Sequence, residues 1–108
     1  MKSIARIAKM LSIMSAKNEA YDQSRAFAHK LLWEQVHLSR IRKSDAEYIL
    51  NLEDSTLNQM DADVLLKEIN NSISAEMTCL INNQYLTDSA GIFTSLKKLQ
   101  NLIKTLEQ

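Results

Sequence analysis

Five apolar residues, Ile92, Leu96, Leu99, Ile103 and Leu106, recur at spacings of 4, 3, 4 and 3 positions. That alternation keeps them on one face of a 3.6-residue helix and predicts a helix over about 89–107, with Phe93 and Leu102 flanking the seam. A second stripe, Leu65, Leu66, Ile69, Ile73, Met77, Leu80 and Ile81, predicts a long helix over 61–84. Asp61 and Asp63 suit the positive end of its dipole. Asn82-Asn83-Gln84 weakens that helix, and Thr87-Asp88-Ser89 is suited to cap the next.

The first half of the chain is patterned less regularly. Ile4, Ile7, Leu11 and Met14 predict a short amphipathic helix over 3–15, with Lys2, Arg6 and Lys9 on its opposite face and Ile13 discordant. Ala20, Ser24, Phe27, Leu31, Gln35, Leu38 and Ile41 predict a longer helix over 18–42, its seam interrupted twice by polar residues and widened by Ala28 and Leu32. Ser44-Asp45-Ala46-Glu47 fits a capping box, which starts a helix at Asp45 that runs to about Glu53. Asp54-Ser55 is the next break, with Leu57 and Met60 on a short helical turn.

Composition narrows the fold class. The 108 residues include no Pro and one Gly, so the tight turns of a β-rich fold are hard to build. An all-α fold follows: one domain, a bundle of about four principal helices with a short connector. The helix over 3–15 is expected across that core or against a partner. A single Cys, Cys79, excludes an internal disulfide and is read as a small buried hydrophobe in a reducing, cytoplasmic setting. No apolar run approaches the roughly 20 residues of a membrane span. Lys and Arg interrupt the first apolar stretch, which argues against a signal peptide.

Charge changes the picture more than composition does. The formal net charge is zero, but residues 1–43 carry nine Lys or Arg against three acids and residues 44–108 carry four against ten. Such polarity signals a partner without naming it. It also admits a homodimer in which the basic half of one chain meets the acidic half of another. The helix over 3–15 favours this state, because its apolar face adds to a core that three other helices already fill.

Candidate binding residues lie in the basic half. His29, Trp33 and His37 are spaced i, i+4, i+8 on one stripe, with Arg40 close to it and Lys30 beside it. An off-seam Trp among titratable groups is suited to anchor a partner, while packing under another helix of the bundle is the structural alternative. Arg40, Arg42 and Lys43, with Lys30, form the densest basic cluster, which suits phosphate, headgroups or an acidic protein surface. At a helix C-terminus the same charges would also complement the dipole. Residues 1–17 hold four basic groups and no acid, a composition shared by membrane-surface helices and by ordinary amphipathic ones. His29 and His37 stand on the order of 12 Å apart along a helix, too far to chelate one metal ion.

Two local resemblances bear on function. Glu47 through Met60 resembles a helix-turn-helix unit, with Asn51 at the turn, Leu52 the buried residue after it, and Leu57 and Met60 on the inner face of a reading helix. Segment 45–63 carries six acids and no Lys or Arg, which opposes the phosphate neutralisation that DNA affinity needs. Ala28-His29-Lys30-Leu31 resembles the histidine of a phosphotransfer bundle, although Trp33 stands where that family takes a small residue. No triad, paired-carboxylate cleft or Gly-rich phosphate loop is visible, so neither a catalytic site nor a cofactor is expected. The sequence favours a small helical interaction protein (an adaptor, inhibitor, chaperone or immunity-type factor) that binds an acidic protein surface through its basic half. The alternative is a nucleic-acid-binding regulator using residues 45–60.

Overall fold

The computed structural model describes residues 2–82 and 89–107, and these contain six α-helices and no strand. In order they are α1 (Lys2–Lys17), a 3-10 turn (Glu19–Tyr21), α2 (Asp22–His37), α3 (Lys43–Asn51), α4 (Ser55–Gln59), α5 (Ala62–Asn82) and α6 (Ser89–Leu106). The all-α bundle predicted from the sequence is the observed architecture. The cap anticipated at Thr87-Asp88, and the end of the 61–84 helix at Asn83-Gln84, lie outside the described residues.

The main correction concerns α1. It is the central helix of the bundle, packed against α2, α3 and α5, rather than a helix laid across a finished core. Ile4, Ile7, Met10, Leu11 and Met14 are buried, and buried Ala5 and Ala8 let neighbouring backbones approach closely. Even Lys9, expected among exposed basic residues, is only 8% exposed. Its ammonium donates to the Ile49 carbonyl at 3.0 Å and to the Leu52 carbonyl. A cation placed at the C-terminal end of α3 satisfies carbonyls that the helix itself leaves without partners and complements its dipole.

The helix read over 18–42 divides in three. Asn18 caps the 3-10 turn by accepting from the Ala20 amide at 3.0 Å, and α2 then runs only to His37. Ser39 enters the left-handed region (φ 60°), its amide donates to the Val36 carbonyl, and the Arg40 amide donates to the Gln35 carbonyl at 2.9 Å. Those paired bonds form a Schellman ending with Ser at the position where Gly is usual. The missing Gly is why the sequence read as an unbroken helix. Of the predicted seam, Ser24, Leu31, Gln35 and Ile41 are buried and Phe27 is half-buried, whereas Ala20 and Leu38 are exposed.

The capping box at Ser44 does not form. Arg42 is the N-cap of α3, without a side-chain cap bond, and Asp45 in the first turn reaches the Arg42 Nε at 3.2 Å. Asp54 does cap α4, accepting from the Leu57 amide at 3.1 Å and leaving Leu57 fully buried. The α5 stripe Leu65, Ile69, Ile73, Met77 and Leu80 is buried as read, and so are Ile92, Leu96, Leu99 and Ile103 of α6. Ile81 and Leu106, at the ends of those seams, are exposed, and so is Cys79, which is not the buried hydrophobe expected. α5 and α6 run antiparallel: Asn70 donates to Glu107 at 2.9 Å, and Gln100 to Ser74 at 3.5 Å. Tyr21 is buried where these helices meet the 3-10 turn, and burial, with Glu107 and Asp63 adding to it, raises its phenol above the ordinary value.

Candidate functional site

The Schellman ending of α2 directs residues 39–42 back along the first turn of α1, and this brings together cations far apart in sequence. Lys2 and Ser3 of α1, Ser39, Arg40 and Arg42 of the connection, and Asp45 of α3 line a cleft of about 530 Å³. A second cleft, of about 260 Å³, lies on the other side of Lys2 and Ser3 and is lined by Arg6, Ile49, Leu52 and Asp54. Lys9 forms part of its wall, although its ammonium is already committed to the carbonyls of α3. Lys2, Arg6, Arg40 and Arg42 thus rim one edge of the bundle.

Arg6, Arg40 and Arg42 each have an identifiable support. Arg40 Nη1 donates to the buried Gln35 Oε1 at 3.1 Å, which anchors one edge of the guanidinium and satisfies a polar group inside the core. Ser3 Oγ donates to Glu76 Oε2 on α5, fixing the first turn of α1. Arg42 pairs with Asp45 at 3.2 Å and Arg6 with Asp54 at 3.8 Å. Both guanidinium groups are more than half exposed. Exposed pairs of this kind contribute about 0–1 kcal/mol, so an incoming carboxylate can replace either acid at little cost. Chemically, the edge offers guanidinium forks and an ammonium, groups that bind carboxylate or phosphate oxygens.

The predicted site residues do not form one patch. Arg40 and Arg42 lie in the larger cleft, and Lys43 follows them onto α3, where it is exposed and 3.8 Å from Glu47. Lys30 belongs to a different groove of about 190 Å³ between α2 and α6, with Phe27, Glu34 and Lys98. Trp33 is 37% exposed and His37 is exposed, so neither packs beneath another helix, yet neither lines the basic clefts. His29 turns inward. It is half-buried against α1, with Nε2 2.7 Å from Ser12 Oγ. Burial, and then the nearby Arg25 charge, lower its pKa from the ordinary value, while a hydrogen bond with the Ala8 carbonyl opposes them. The His29-Trp33-His37 stripe therefore divides between an interior contact and an exposed surface.

Lys2, Ser3 and Arg6 are the residues that sequence reading did not join to the Arg40 cluster. The basic face of the first helix was visible, but its apposition to residues 39–42 is a tertiary fact carried by the turn at Ser39. The helix-turn-helix resemblance meets two structural departures. Leu52, expected to be buried after the turn, is 46% exposed, and α4 is five residues long, too short to present a reading surface in a groove. Among the described residues no cluster of three His, Cys, Asp or Glu side chains could hold a metal ion, and no helix is long and apolar enough to cross a membrane.

Comparison with known protein families, with curated proteins and with solved structures finds no match to this chain.

Proposed function

We propose that this protein is a non-enzymatic interaction module that binds an acidic protein surface through the edge formed by Lys2, Arg6, Arg40 and Arg42. The observation that carries this reading is their convergence from two chain segments onto two clefts sharing one wall. The Arg40–Gln35 bond holds Arg40 in place before any partner arrives, which lowers the ordering cost of association. Adaptor, inhibitor, chaperone and immunity-type roles are all compatible with such a surface. In this reading the protein works in the cytoplasm, where its lone exposed Cys79 stays reduced.

The reading favours a different protein as partner over a second copy, because the apolar face of α1 that a homodimer was expected to use is consumed in the core. Affinity capture from the native cell, comparing the wild type with an Arg40→Glu/Arg42→Glu variant, tests the proposal. The wild type should retain an acidic partner that the folded variant loses. Recovery of the same partners by both proteins would remove this edge as the binding surface. Duplex DNA that bound with steep salt dependence, abolished in the same variant, would assign the edge to phosphate instead.

A further inference from the structure

We propose that the two clefts together form a bipartite recognition site for a partner segment in which a carboxylate side chain stands next to an aliphatic one. This rests on the binding edge proposed above and specifies what that edge reads. The larger cleft is lined by Lys2, Arg40 and Arg42, one acid, Asp45, the hydroxyl residues Ser3 and Ser39, and buried Ile41. The smaller cleft changes character across the shared Lys2–Ser3 wall. Its floor is half-buried Ile49 together with Leu52, which is 46% exposed.

Leu52 is exposed on a fixed backbone. Its amide donates to the Tyr48 carbonyl at 2.9 Å, and its own carbonyl accepts from the buried Lys9 ammonium. Lys9 therefore links the two functions, because the cation that completes the core also holds the apolar floor beside Arg6. Tyr48, one turn back on α3 and 66% exposed, and Leu52 both line a neighbouring cleft, where Glu47 and Glu53 stand beside them. Besides the committed Lys9, four cationic residues, Lys2, Arg6, Arg40 and Arg42, line the two clefts with two acids, Asp45 and Asp54, a balance that suits an anionic partner. A carboxylate placed between Arg40 and Arg42 leaves the adjoining aliphatic group over Ile49 and Leu52. A pure polyanion would leave that apolar floor uncovered.

The test uses the full chain, labelled with nitrogen-15, and a terminally blocked hexapeptide of sequence Glu-Leu-Glu-Glu-Leu-Glu. Saturable shifts are expected at the amides of Ser3, Arg6, Arg40, Arg42 and Leu52. Replacing every Glu by Gln, or every Leu by Ala, should each raise the dissociation constant by roughly ten-fold or more, since ten-fold corresponds to about 1.4 kcal/mol. A Leu52→Ala variant, altered only at the surface, should keep the preference for Glu and lose the preference for Leu. Equal binding of the Ala-substituted peptide would overturn the bipartite site while leaving the acidic-partner reading intact. Equal binding of the Gln-substituted peptide would overturn both. Shifts confined to other surfaces, or none, would overturn the bipartite site. So would displacement of the peptide by an equal concentration of duplex DNA.

Discussion

The ammonium of Lys9 donates to the backbone carbonyl of Ile49 at 3.0 Å, tying the middle of α1 to the last turn of α3. A charged donor sits there almost out of solvent, joining residues 40 positions apart in sequence. Lys9→Met keeps the aliphatic stem and removes the donor, leaving α3 carbonyls that lost their water on folding without a partner. Hydrogen bonds to charged groups contribute about 1.5–3 kcal/mol, so the variant should be less stable by an amount in that range. Urea unfolding measures it; a loss below about 0.5 kcal/mol, the lower end for any such bond, would show that the ammonium contributes little.

Ser39 holds a left-handed conformation that costs an L-residue roughly 1–2 kcal/mol, partly offset by the extra chain entropy a Gly would lose on folding. Ser39→Gly should therefore stabilise the protein by about 0.5–1 kcal/mol, raising the thermal midpoint by a few degrees. The Schellman bonds and the course of residues 39–42 should persist. A destabilised Ser39→Gly variant would mean that the Ser39 side chain supports the cleft in some further way.

His29 makes stability depend on pH. Its pKa is lowered in the folded state, by burial first and by Arg25 second, so the unfolded chain binds the proton more tightly. Its contribution is therefore fully present above the unfolded value of about 6.5 and is lost as pH falls from there through the lowered folded value. The difference in urea stability between wild type and a His29→Gln variant should shrink or reverse as the buffer is taken from pH 8 to pH 5. Identical pH profiles for the two proteins would show that the imidazole is not held neutral against α1.

The burial of α1 also predicts the state of association. With Ile4, Ile7, Leu11 and Met14 in the core, light scattering at micromolar concentration should give the monomer mass of 12.3 kDa. A doubled mass would place self-association on another surface, with the exposed Tyr48 and Leu52 the first candidates.

Periodicity made the helices legible wherever one continuous face is buried. The stripe from Leu65 to Leu80 was read residue by residue, because α5 packs along most of its length. Where burial ends, the same periodicity misleads: Ile81 and Leu106 continue their seams and yet face solvent. The end of α2 was illegible because Ser, not Gly, takes the left-handed position. The rank of α1 was illegible for a related reason, since Lys9 marked a polar face that the fold uses internally. Arg40 and Arg42 could be singled out from local charge density. Their union with Lys2 and Arg6 could not, because it depends on a turn geometry that no local pattern announces.

Side-chain labelling of the complex locates the partner on the surface. With lysine- and arginine-selective reagents applied to the captured complex and to the free protein, partner binding should protect Lys2, Arg6, Arg40 and Arg42. Lys30 and Lys98, in the groove between α2 and α6, should stay as reactive as in the free protein. Protection of Lys30 and Lys98 with Lys2 and Arg40 unchanged would contradict the binding edge and move the interface to the groove between α2 and α6.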